Sequence, residues 1–101
     1  MAKVHIETNP NSRQLAFCCP GCRMIHTVPI EGSGITNWKW DGNMEQPTLT
    51  PSVLSTWPPT ERRCHLNIDA GVITFHGDCS HDLKSQRVEL PEWAGWNWPP
   101  E

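Results

Sequence analysis

Cys19-Pro20-Gly21-Cys22 is the stretch whose residue types and spacing most directly suggest chemistry. A C-x2-C turn with Pro and Gly between lets two thiolates converge on one ion at about 2.3 Å, while backbone N–H groups point at the sulfurs. A tetrahedral site needs two more ligands, and Cys64-His65 and Cys79-Ser80-His81 offer them. The expected set is Cys19, Cys22, Cys64 and Cys79 around Zn²⁺, with His65 and His81 as alternative ligands. His76, at H-x2-C spacing to Cys79, is a further donor. Cys18 reads as an unligated neighbour, since adjacent cysteines rarely aim at one metal. Simple burial of the thiols explains the clustering less well. A thioredoxin-like redox pair is disfavoured because a strand, not a helix, is expected after the motif.

The histidines suggest a second chemistry. His26, His65, His76 and His81 with Asp78 could form an open metal site or a general acid/base pair, and the plainer reading makes them partners of the metal ligands. His5-x-Glu7 ahead of Cys19-x2-Cys22 mimics the zinc deaminase order. That class needs helices under both motifs and a Pro before the first Cys, where this chain has Cys18.

The elements that must position these groups read as strands. No window of a dozen residues carries a 3.6-residue apolar stripe, and 10 Pro and 7 Gly favour short strands joined by tight turns. Strands are expected at 4–7, 14–18, 25–30, 36–40, 52–56, 63–69, 72–77 and 86–90. Turn signals lie at Asn9-Pro10-Asn11, Pro20-Gly21, Gly32-Ser33-Gly34 and Asp41-Gly42-Asn43. The strongest hairpin pivots on Ala70-Gly71 and pairs Ile68 with Ile73, Leu66 with Phe75 and His65 with His76. Cys64, Leu66, Ile68, Ile73 and Phe75 then share one face, and His65, Asn67, Thr74 and His76 the other; Cys79 returns to the Cys64 side. The fold expected is a small all-β, zinc-stabilised domain of seven or eight antiparallel strands over residues 1–91. A Trp/Pro-rich tail over 92–101 follows, either packed back or free.

At 101 residues the chain is long enough for one core. Eight Lys and Arg against 11 Asp and Glu give a net charge of −3, which argues against nucleic acid as a partner. Stacking of single strands on Trp with help from Lys39, Arg62 and Arg63 is the weakest reading. No apolar run approaches the roughly 20 residues of a membrane span, and Met1-Ala2-Lys3-Val4-His5 has no apolar signal core, so a cytoplasmic protein is expected. Trp38 and Trp40 lie on one strand face before a turn, as candidate binding residues. Pro47-Thr48-Leu49-Thr50-Pro51-Ser52 follows, with hydroxyls held between prolines.

The order C-P-G-C…H, W-x-W-[DN]-G, P-T-x-x-P-S, C-H, D-C-x-H and V-x-L-P resembles a family of short bacterial and bacteriophage (prophage) proteins of unknown function. Here those motifs are residues 19–22 with His26, then 38–42, 47–52, Cys64-His65, 78–81 and 88–91. The resemblance implies a metal-binding domain. Some members carry an ammonia monooxygenase label, which a soluble, zinc-suited chain does not match. Relatives also occur beside bacterial ubiquitin-like conjugation genes, which would fit a zinc-stabilised adaptor. This chain departs from the pattern at residues 82–86, which lack an Ala-Gly pair, and at His76, where an apolar residue or Cys is expected.

Two functions compete. The first is a non-enzymatic zinc-binding module acting through an unknown protein partner, with Trp38, Trp40, Trp93, Trp96 and Trp98 as anchors. The alternative is a small metal-dependent hydrolase using His65, His81 and Asp78.

Overall fold

A computed structural model describes residues 1–32 and 36–99 of the chain. Among them are eight strands and no helix. They are β1 (Val4–Asn9), β2 (Ser12–Cys19), β3 (Met24–Glu31), β4 (Lys39–Trp40), β5 (Leu49–Thr56), β6 (Arg63–Asp69), β7 (Val72–Phe75) and β8 (Arg87–Glu89). All pairings are antiparallel, in a three-stranded sheet β1-β2-β3 and a five-stranded sheet β4-β5-β6-β7-β8. The all-β expectation therefore holds. The fourth strand is shorter than expected, and of the Gly32-Ser33-Gly34 turn, residues 33 and 34 lie outside the described residues, as do 100 and 101 of the tail.

Local chemistry accounts for the turns. The β6–β7 hairpin has the anticipated register, Ile68 opposite Ile73 and Leu66 opposite Phe75. Its two loop residues have positive φ, 47° at Ala70 and 79° at Gly71, the left-handed pair that a two-residue turn between twisted strands requires. The β2–β3 connection is the C-P-G-C turn itself, closed by the Arg23 N–H donating to the Cys19 carbonyl at 2.8 Å.

Alternation along the strands builds one buried cluster from both sheets. Val4, Leu15, Phe17 and Val28 come from the first sheet, and Leu66, Ile68, Ile73 and Phe75 from the second. Burying each phenylalanine contributes about 1.5–3 kcal/mol. Cys19 and Cys64 lie in the same cluster, so the sulfurs meet where the two sheets face each other. The opposite face of the first sheet is covered by the tail. The Trp93 N–H donates to the Ala2 carbonyl at 2.9 Å, and its ring stacks on His5 at 5.1 Å. Trp96 meets Trp93 edge-on. Cys18 is fully buried on this face, and burial raises its thiol pKa against the opposing effect of the Ala94 backbone.

Candidate functional site

The C-P-G-C turn presents Cys19 and Cys22 toward β6, whose second residue is Cys64. Cys19, Cys22, His26 and Cys64 each place a ligand atom within 4.8 Å of the others, and Cys64, Cys79 and His81 form a second such group. The Cys22 amide lies 3.4 Å from the Cys19 sulfur, as expected for a knuckle turn. All five cysteines are free thiols.

Two spacings test whether this donor set fits an ion. A tetrahedral ion with bonds of about 2.3 Å to sulfur and about 2.05 Å to nitrogen has S···S edges of roughly 3.8 Å and S···N edges of roughly 3.5 Å. Cys19 Sγ and Cys64 Sγ are 3.8 Å apart, and Cys64 Sγ and His81 Nε2 are 3.5 Å apart. The protonation pattern points the same way. Hydrogen bonds from Cys19, then Cys64, and then His26 hold Cys22 far below the usual thiol range. Cys19 is pushed up to about 12, chiefly by the bond it gives Cys22, and Cys64 is pushed far up by bonds to Cys19 and Cys22. The protein alone thus supports one thiolate among three sulfurs, and a cation supplies the charge needed to ionise the others. These residues fit a metal ion.

Two imidazoles flank the sulfurs. His81 packs its ring against Gly21, where an added Cβ would clash with the imidazole, so glycine is the residue that admits it there. The Leu83 N–H reaches His81 Nδ1 at 3.2 Å. Loading Nε2 would move the ring proton to Nδ1 and break this contact, costing about 1 kcal/mol against the roughly 10 or more that a structural metal supplies. His26 is buried between Phe17 and Trp57, and its Nε2 has no hydrogen-bond partner. Expected only in a separate open metal site with the other histidines, it lies instead among the sulfurs. The signal was its pairing opposite Phe17, on the core face of β3.

Cys79 is differently engaged. The His65 N–H donates to its sulfur at 3.3 Å, and its S–H donates to the His65 carbonyl at 3.2 Å. It lies near Cys64 and His81, outside the group that Cys19 and Cys22 form. His65, considered as an alternative ligand, projects from the other face of β6, next to Cys64 in sequence but opposite in direction.

On that outer face a second constellation forms. Ser52 Oγ lies 3.1 Å from His65 Nε2, and His65 Nδ1 lies 3.2 and 3.3 Å from the two carboxylate oxygens of Asp78. A carboxylate only accepts, so Nδ1 carries the proton, Nε2 presents its lone pair, and the Ser52 hydroxyl donates to it. Partial desolvation would raise the Asp78 pKa, but the His65 hydrogen bond, its own backbone amide, and the His65 and Arg63 charges hold it below the usual carboxylate range.

Each member is placed by a distinct device. Between the pairs Leu49–Ile68 and Val53–Leu66, residues 50–52 of β5 face Asn67 alone, a bulge, and alternation back from Leu54, which pairs with His65, puts Ser52 on the His65 face. The indole N–H of Trp38 donates to the Ser52 carbonyl at 3.3 Å. Residues 76–80 run beside the start of β6 through His76 N–H to His65 O and Ser80 N–H to Arg63 O, both at 2.9 Å. That alignment sets Asp78 beside His65. His76 stacks on His65 at 4.0 Å and is itself held by Asn67 at 2.6 Å.

A family model described as bacterial ubiquitination-like system serine protease (BubE) matches residues 1–76. The chain belongs to the BubE family. No curated protein and no solved structure gives a significant match. The BubE match spans Ser52 and His65 and stops two residues before Asp78. Of the hydrolase trio expected from sequence, His65 and Asp78 meet, while His81 lies with the sulfurs. Ser52 went unrecognised, although it closes the P-T-x-x-P-S motif. Trp38 and Trp40 are half-buried, and the Trp40 indole donates to the Asn43 carbonyl at 3.1 Å.

Proposed function

We propose that this BubE-family chain is a serine hydrolase acting on protein amide bonds, built on a zinc-stabilised β scaffold. The observation that carries the reading is the continuous hydrogen-bonded line Ser52–His65–Asp78. The family's description as a serine protease of a ubiquitination-like system supports the substrate class. Ser52 Oγ attacks the scissile carbonyl carbon while His65 Nε2 takes the hydroxyl proton, and Asp78 stabilises the imidazolium. Collapse of the tetrahedral intermediate breaks the C–N bond, and Nε2 returns the proton to the leaving amine. Water, deprotonated by the same nitrogen, then hydrolyses the acyl-Ser52 ester. This replaces the non-enzymatic interaction module as the better-supported reading, because a module that only binds has no need of an oriented Ser-His-Asp line.

The zinc set best supported is Cys19, Cys22 and Cys64 with His26, the four residues whose ligand atoms all lie within 4.8 Å of one another. A four-ligand site is closed, so the ion acts structurally. Its ligand Cys64 adjoins His65, and Cys79, at the rim of the cluster, adjoins Asp78, so the core-side cluster braces the strands whose next residues do the chemistry. The five free thiols suit a reducing cytoplasm.

The test is labelling by a fluorophosphonate and turnover of p-nitrophenyl acetate by the zinc-loaded chain. Both are expected to vanish in Ser52→Ala with the melting temperature unchanged. Equal labelling of Ser52→Ala and wild type would refute the assignment.

A further inference from the structure

The two sheets leave unpaired strand edges facing each other beside Ser52. Among the described residues β3 pairs with no strand but β2, so over Met24–Thr27 its second edge has no strand partner. β5 bonds to β4 through Leu49 and Thr50, and past Pro51 its edge on that side has no strand partner among the described residues. Between them runs an open groove of about 520 Å³, lined by residues 24–27 of β3 and by residues 54–57. Trp38 closes the Ser52 end. Its main-chain N–H donates to the Pro29 carbonyl of β3 at 2.8 Å while its indole holds the Ser52 carbonyl of β5. Trp57, with the Arg62 guanidinium 4.5 Å over its ring, lies at the far end.

We infer that this groove receives the substrate as an extended peptide, added as a strand between β3 and β5, which delivers its scissile bond to Ser52. The inference rests on the serine hydrolase reading for the reaction, though the binding mode is argued from the edges alone. An unpaired edge offers a row of N–H and C=O groups that an extended chain can satisfy, giving affinity through the main chain and specificity through alternate side chains. At about 3.3 Å per residue, the run from Thr56 to Ser52 spans roughly 13 Å and takes about four substrate residues. Leu54 supplies an apolar contact within it. It is 54% exposed, lines the groove and lies directly across from His65, on the triad's own face. Leu54 thus links the groove to the face that carries Ser52. Neutral Thr27, Ser55 and Thr56 line the walls, so the occupant is recognised by extended backbone rather than by charge.

The experiment is an N-methyl scan of an acetyl-Ala-Ala-Leu-Ala thiobenzyl ester with the zinc-loaded full chain. Methylating one amide removes a single main-chain donor. Strand addition predicts a drop in kcat/KM of tenfold or more at alternate positions and little change at those between, and Leu54→Asp is expected to raise KM for the unmethylated ester at least tenfold. Equal turnover of all methylated esters would overturn the inference. So would a concentration-dependent dimer in sedimentation that the peptide does not dissociate, since the groove would then hold a second copy. If p-nitrophenyl acetate is not turned over, the hydrolase reading fails separately. Anisotropy of a fluorescein-labelled tetrapeptide amide, with the same methylation pattern, then decides the groove by itself.

Discussion

Cys79→Ala separates a metal ligand from a clip on His65. The Cys79 side chain is 4% exposed and touches both main-chain groups of His65. After truncation the His65 carbonyl keeps the His76 N–H at 2.9 Å, so only the His65 N–H loses its partner. An orphaned buried amide costs about 1–3 kcal/mol, and the lost burial of one sulfur adds roughly 1 kcal/mol. The expected destabilisation is about 2–4 kcal/mol, a fall in melting temperature of roughly 10–25 °C for a chain of this size. Turnover of p-nitrophenyl acetate should fall roughly 10–100-fold, because His65 no longer holds its position against Ser52. Cys79→Ser, which keeps a donor and an acceptor, should lose less on both counts. Bound metal, measured by elemental analysis after dialysis, should remain at one ion per chain. Loss of that ion in Cys79→Ala, with four sulfurs around the metal in the wild-type absorption spectrum, would make Cys79 the fourth ligand and refute the clip. Unchanged melting would show that the two contacts contribute nothing.

Asp78→Asn should slow ester hydrolysis by about 10²–10³-fold, less than in a fully buried triad because the Asp78 side chain is 41% exposed; its urea midpoint should stay at the wild-type value. Metal loading should release about two protons near pH 7, because Cys22 is already ionised while Cys19 and Cys64 are held protonated, and calorimetry in buffers of different ionisation enthalpy counts them. Affinity for the ion should therefore weaken about 100-fold for each unit of falling pH. His26→Ala should weaken zinc binding by more than His81→Ala in chelator competition, and the reverse order would move the fourth ligand to His81.

The β6–β7 hairpin shows how much was legible in the sequence. Period-two alternation and the Ala70-Gly71 turn fix its register within 14 residues, and that register places His65 against His76 and sends Cys64 to the opposite face. The C-P-G-C turn was likewise readable, since its chemistry is local. Ser52 was not. Alternation along β5 puts Ser52 on one face with Leu54, but which residue of another strand that face meets is not local information. The alignment comes from the pairing of Leu54 with His65 across β5 and β6, with Trp38 holding the Ser52 carbonyl.

Composition, turn chemistry and strand period, all carried by neighbouring residues, determined that this chain is all-β, where its hairpins turn, and that sulfur donors cluster beside imidazoles. The tertiary structure decided which of those donors meet and that a serine joins the histidine and the aspartate. Ser52, His65 and Asp78 stand 13 residues apart on three separate segments. Only the pairing of β5 with β6, and of residues 76–80 with the start of β6, brings them within hydrogen-bond reach, and no local pattern encodes a distance between strands.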